Sequence, residues 1–259
     1  MEYTDLVIFF ATAIAAGALN SVAGGGTFLT FPVLIFGGLT PIQANVTSTV
    51  AVWPGTAASA WAYRRQWRQQ KKMLPALAAI SALGGALGAA VLLATPERVF
   101  AGLVPWLLLA ATLIFTFGNK GPGVGDQGSG NRSLSFPTPD PRPPAPYFLQ
   151  FAIAFYGGYF GAGIGILMLA ALSLLGLTDI HQMNGLKNLF ALCINVVATV
   201  YFMTAGLVEW PVAATMALGA ISGGYGGAGL ARRLGPIFVR KTVIAIGFAM
   251  TISLFIKQS

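Results

Sequence analysis

The 259 residues are 56% hydrophobic and only 8% charged, against about a quarter charged in soluble domains. So few charges cannot cover a water-soluble globule, and that class is excluded. The net charge of +8 sits in short loops between apolar runs, which marks membrane topology and argues against a nucleic-acid partner.

The chain opens on Met1-Glu2-Tyr3-Thr4-Asp5, acidic where a secretory leader carries Lys or Arg, so the first apolar stretch is read as retained. Apolar segments follow near 6–22, 27–38, 44–63, 73–94 and 99–117. Several are long enough for a hydrocarbon core of about 30 Å, which needs roughly 20 helical residues. From Asn119 to Pro146 the composition turns to Gly, Pro, Ser and Asp, with Pro137, Pro139, Pro141, Pro143, Pro144 and Pro146 nearly alternating. That stretch cannot bury apolar area and is expected to be a flexible cytoplasmic linker. Five more apolar segments follow near 147–162, 166–176, 184–204, 211–231 and 240–256. The expected organisation is therefore a first membrane repeat over 1–118, the linker over 119–146 and a second membrane repeat over 147–259. Cys193, the single cysteine, lies within an apolar segment; it excludes an intramolecular disulfide or a cysteine-built metal cluster, and a buried thiol is its expected state.

The halves share residues at a constant shift of 139. Gly24 and Gly26 match Gly163 and Gly165; Gln43 and Asn45 match Gln182 and Asn184; Gly84, Gly85 and Gly88 match Gly223, Gly224 and Gly227. The Leu39-Thr40 to Leu177-Thr178 match needs a shift of 138. Self-similarity at a fixed period is the mark of duplication. Two basic clusters, Arg64, Arg65, Arg68, Lys71, Lys72 and Arg232, Arg233, Arg240, Lys241, both belong in the cytoplasm by the positive-inside rule. Five membrane passages per half satisfy both, and so do three crossings plus one re-entrant hairpin per half. Either count is odd. The expected fold is an all-α polytopic membrane protein of two inverted repeats, with short broken or re-entrant helices after Gly-rich motifs.

Segments 27–38 and 166–176 are too short to cross and each follows a Gly-rich break. Paired short segments of this kind point to a transporter's binding site. Helices opening after Gly24-Gly25-Gly26-Thr27 and after Gly163-Ile164-Gly165 would aim positive dipole ends, suited to an anion, at that site. The competing reading is that these glycines only allow close helix approach. Lys187 lies well inside an apolar segment, on one helical face with Asn184 and Asn188. An ammonium at that depth costs about 2.5–3.5 kcal/mol and needs a partner. No Asp or Glu lies at comparable depth, so a substrate anion could supply the charge; snorkelling, or bonding to carbonyls of a broken helix, is the alternative. The matching stretch of the first half runs from Gln43 through Asn45 to Ser48 and Thr49, with Ser48 at the place of Lys187. The candidate substrate-binding set is thus Asn20, Gly24, Gly25, Gly26, Thr27, Gln43, Asn45, Ser48, Thr49, Gly163, Gly165, Asn184, Lys187 and Asn188. His181, beside Asp179 at an expected helix start, reads as solvated rather than as a proton relay. Without paired His, Cys or carboxylates at depth, no enzyme, metal or cofactor site is expected.

The run from Asn20 through Gly24-Gly25-Gly26-Thr27 to Pro32 is the first part of a wider pattern. With the polar run Gln43 to Thr49, the glycines 84, 85 and 88, and Gly158-Tyr159-Phe160-Gly161-Ala162-Gly163-Ile164-Gly165, it resembles the TauE/SafE sulfite exporters. The resemblance covers both halves and omits the linker. It implies movement of sulfite, organosulfonates or related anions across the plasma membrane. The second half departs from the pattern, for Ile164 interrupts the glycine run and no proline corresponds to Pro32. Export of an anion has a ready drive in an inside-negative potential. Two other functions stay open at this point: a transporter of another small metabolite, and a membrane partner subunit without transport of its own. The expected partners are a small anionic substrate and membrane lipid, and a homodimer is one assembly open to the chain.

Overall fold

A computed structural model describes residues 3–22, 24–67, 74–117, 145–175, 177, 179–234 and 236–258. Residues 119–144 of the expected linker, together with Arg68, Lys71 and Lys72, lie outside the described residues, as do the side chains of Arg232, Arg233, Arg240 and Lys241. The first half supplies α1 (Tyr3–Val22), α2 (Thr27–Phe36), α3 (Pro41–Ala62), α4 (Arg64–Trp67), α5 (Leu74–Ala94) and α6 (Glu97–Phe117). The second supplies α7 (Ala145–Tyr159), α8 (Ile164–Leu174), α9 (Ile180–Thr204), α10 (Trp210–Leu234) and α11 (Pro236–Gln258). All regular structure among the described residues is helical.

Local chemistry sets the boundaries. The apolar run around 44 gains a turn at its start because Thr40 and Gln43 close a capping box over Pro41, so α3 begins three residues earlier than the hydropathy alone suggests. Asp179 caps α9, accepting from the amides of His181 (2.8 Å) and Gln182 (3.4 Å). The short α4 is an addition to the expected plan, anchored where Trp67 Nε1 donates to the Ala60 carbonyl at 3.0 Å.

The helices α5, α9 and the stretch Glu97–Ile114 of α6 are long and apolar enough to cross a membrane. At 10 and 11 residues, α2 and α8 are each only about 15 Å long, half of what a hydrocarbon core requires. Large apolar side chains such as Leu83, Leu87, Val99, Leu103, Val200 and Ile252 face outward, as lipid contact demands, and Trp61 and Trp210 stand exposed at helix ends, where amphipathic rings suit the interface.

Packing runs between the halves more than within them. Helix α1 lies along α10, and α7 along α5; α3 packs on α10, and α9 on α5; α6 pairs with α11 and α3 with α9. Each of these pairs maps onto another, or onto itself, when the halves are exchanged. Small residues make the approaches possible. A methyl on Gly84 would lie 2.7 Å from Ala154 Cβ and 2.9 Å from the Phe151 carbonyl, and one on Gly223 would lie 3.0 Å from the Ala18 amide. Gly85 meets Ile194, and Gly224 meets Gly55, so one contact recurs at both places 139 residues on. The buried core joins both halves, with Phe31, Phe100 and Phe160 edge to face at 5.4 and 6.1 Å.

Candidate functional site

The two helix breaks lie inside the bundle and touch. Gly24 (φ +77) and Gly163 (φ +75), 139 apart in sequence, both take the left-handed conformation, which costs glycine little and other residues more. The Gly165 amide donates to the Gly24 carbonyl at 3.2 Å. Gly24 and Gly165 sit so close that a methyl on either would overlap the Cα of the other.

Beside this contact, α3 and α9 enclose a cavity of about 20 Å³, room for roughly one water. Thr49, Val52 and Thr56 of α3 face Asn188, Ala191 and Asn195 of α9 across it. Both triplets follow the spacing of a single helical stripe, and each member of one is 139 residues from its counterpart. Asn20, Gly24, Thr27, Gly161, Ile164, Gly165 and Lys187 complete the lining. No carboxylate is among them.

Lys187 is 1% exposed. Its Nζ donates to Asn184 Oδ1 at 2.9 Å and to the Asn20 carbonyl at 3.1 Å. An ammonium has three donors, so these two acceptors leave one N–H over on a residue that lines the cavity. The broken end of α1 is knitted by Asn20. Its Oδ1 accepts from the Gly26 amide and its Nδ2 donates to Thr56 Oγ1, both at 3.4 Å. Asn188 Nδ2 reaches the Ser21 carbonyl at 3.4 Å. The Asn195 side chain has no hydrogen-bond partner among the described residues and lines the cavity.

Of the residues expected from the sequence, Asn20, Gly24, Thr27, Thr49, Gly165, Lys187 and Asn188 are brought together here. Asn184 stands behind Lys187 as its acceptor. The others lie elsewhere. Gln43 belongs to the α3 capping box, and Asn45 Nδ2 donates to the Tyr159 carbonyl at 2.9 Å. Ser48 Oγ pairs with Thr30 Oγ1 at 2.6 Å. Gly163 packs against Phe28 and Ala111, and Gly25 and Gly26 serve the turn into α2, accepting from Phe28 and Leu29. The Gly165 amide, expected to be open to a ligand, is taken by Gly24, so α8 offers its dipole but not that N–H. Thr56 and Asn195 were not anticipated. Carrying the shift of 139 two more turns along both helices finds them. His181 is exposed at the start of α9, and no group of three His, Cys, Asp or Glu that could hold a metal occurs among the described residues.

Comparison with known proteins agrees with a transporter. Residues 9–254 match the family described as Sulfite exporter TauE/SafE. A relative from a Sinorhizobium species, "Probable membrane transporter protein ORF9", is 30% identical over 96% of this chain and 92% of its own length. A "Probable membrane transporter protein" of Haemophilus influenzae is 26% identical over 98% and 95%. The "Probable membrane transporter protein YfcA" of Escherichia coli K12 is 25% identical over 96% and 89%. No solved structure matches the chain.

Proposed function

The chain belongs to the sulfite exporter TauE/SafE family, and from that premise we propose that it exports a small anion, sulfite, an organosulfonate or a related oxyanion, across the plasma membrane. One observation carries this reading: a fully buried ammonium, Lys187, lines a cavity whose other walls are amides, hydroxyls, glycine backbone and the apolar side chains of Val52, Ile164 and Ala191. A cation held at depth without a carboxylate favours an anionic occupant, and the free amide of Asn195 adds a neutral donor. The inside-negative potential then drives outward movement by about 2.3 kcal/mol per charge per 100 mV. The cavity has space for one water, less than three oxygens around a sulfur require, so substrate entry calls for the α3–α9 seam to widen.

The exchange of helix partners between halves supports an inverted repeat in which α1–α2 and α7–α8 are re-entrant hairpins. Phe10 lies beside Gly219, and Ile14 beside Gly223, so α1 runs in the direction of α10; likewise α7 runs with α5, Phe151 beside Gly84 and Phe155 beside Gly88. Three further helices per half would cross. Both basic clusters and the linker would then be cytoplasmic and Glu97 external. On a Cys193→Ser background, Glu97→Cys should react with an impermeant thiol reagent added outside intact cells and Arg68→Cys should not. The reverse pattern rejects this topology.

Proteoliposomes test the transport itself. Loaded with sulfite, sulfonates or carboxylates, they should release at least one of these faster than protein-free vesicles, and faster still when the potential is made negative inside. Equal rates for all of them would reject anion export.

A further inference from the structure

Ser48 and Lys187 occupy matching places in the two halves, and their surroundings correspond residue by residue. In the second half the ammonium of Lys187 bridges Asn184 Oδ1 at 2.9 Å and the Asn20 carbonyl at 3.1 Å. The matching acceptors of the first half are Asn45 Oδ1 and the Tyr159 carbonyl, each displaced by 139 residues. Here Asn45 Nδ2 donates to Tyr159 at 2.9 Å. Because a carbonyl can only accept, that bond fixes which way the amide points. Asn45 Oδ1 is thereby left buried without a donor, in a residue 1% exposed. Ser48, three residues on along the same face of α3, has its buried Oγ 2.6 Å from the buried Thr30 Oγ1, and one of the two can donate to the other while both keep lone pairs.

Where the second half has a tethered positive charge, the first half has oxygens alone, one of them, Asn45 Oδ1, without any partner. We propose that the first half binds an alkali cation at the place that the Lys187 ammonium fills in the second, held by Asn45 Oδ1, the Tyr159 carbonyl, Ser48 Oγ and Thr30 Oγ1. Amide, carbonyl and hydroxyl oxygens are hard donors suited to such ions. The set has no carboxylate to balance a divalent ion, and the ammonium opposite sets the charge at one. An occupied site puts a positive charge one helical turn from Thr49, whose Oγ1 donates to the Asn45 carbonyl at 2.9 Å and which lines the cavity. The inference goes beyond anion transport and does not depend on it.

The test is thermal unfolding of the purified full-length protein in sodium, potassium and choline chloride at equal ionic strength. Wild type should unfold about 3 °C higher in one alkali salt than in choline once that ion is near tenfold above its Kd. Ser48→Lys, which supplies a tethered ammonium, should unfold at one temperature in all three salts. Asn45→Leu should lose the shift as well. Equal midpoints for wild type in all salts would leave a buried water as the occupant and overturn the proposal, and so would an alkali shift that persists in both variants. Should Ser48→Lys not fold, saturable binding of radiolabelled sodium or potassium to wild type but not to Asn45→Leu supports the site. Binding to both or to neither rejects it. No anion is varied in these measurements, so their failure leaves anion export untouched.

Discussion

Lys187→Gln is expected to weaken anion binding by about 10- to 150-fold, the worth of one hydrogen bond to a charged group, about 1.5–3 kcal/mol. The glutamine amide can still donate within the cluster that Lys187 now serves, Asn184 Oδ1 and the Asn20 carbonyl, so the strut between α9 and the broken end of α1 partly survives. Lys187→Met has no such donor. It leaves both buried acceptors unpaired and should lose stability as well as affinity, since each orphaned group costs about 1–3 kcal/mol. Lys187→Glu should be worst on both counts, placing a like charge against the substrate and acceptors against acceptors. Calorimetric titration with sulfite beside thermal unfolding separates the two roles of the residue. Wild-type affinity in Lys187→Gln would make Lys187 a brace for the broken helix and move the anion elsewhere.

Gly165→Ala should be strongly destabilising. The added carbon would overlap Gly24 Cα and stand 2.8 Å from the Gly24 carbonyl. Both are backbone, so no side chain can swing aside. Overpacking of this kind typically costs about 1–3 kcal/mol. Gly24→Ala adds to the same overlap the cost of its φ of +77, about 1–2 kcal/mol for a residue with a Cβ. Prising the breaks apart also strips the Gly165 amide from its acceptor. Gly102→Ala is the control, because a methyl there meets nothing within 4 Å, and within α6 it should be neutral or slightly stabilising. If Gly24→Ala and Gly165→Ala unfold at the wild-type temperature while Gly102→Ala does the same, the contact between the breaks contributes nothing to stability.

Much of this plan was legible in the residues. Chain breaks at Gly24 and Gly163 follow from glycine runs between apolar stretches, the short α2 and α8 from the distance to the next break, and the special place of Lys187 from its being a charge in an apolar run. What hydropathy could not supply was helix rotation. Thr49 faces the cavity while Ser48 next to it faces Thr30, and that choice depends on where Gly85 meets Ile194 and Gly224 meets Gly55, contacts between segments far apart in the chain. Gln43 illustrates a second point. Placed in the candidate set with the polar run to Thr49, it meets a helix-start requirement, the capping box over Thr40. Order along the chain likewise gives no hint that α1 leans on α10 rather than on its sequence neighbours.

Because α1 lies on α10 and α5 on α7, a ribosome that has delivered the first half has delivered helices whose partners do not yet exist. Gly84, Gly85 and Gly88 then offer lipid a groove of bare backbone that Phe151, Phe155 and Ile194 will later fill. The nascent protein thus gains most of its final packing only once the second half emerges, beginning with α7 on α5 and continuing to α10 on α1. Such interleaving raises the sequence separation of contacts and with it the time spent incomplete. A message truncated anywhere before α10 would yield not half a transporter but a substrate for membrane quality control.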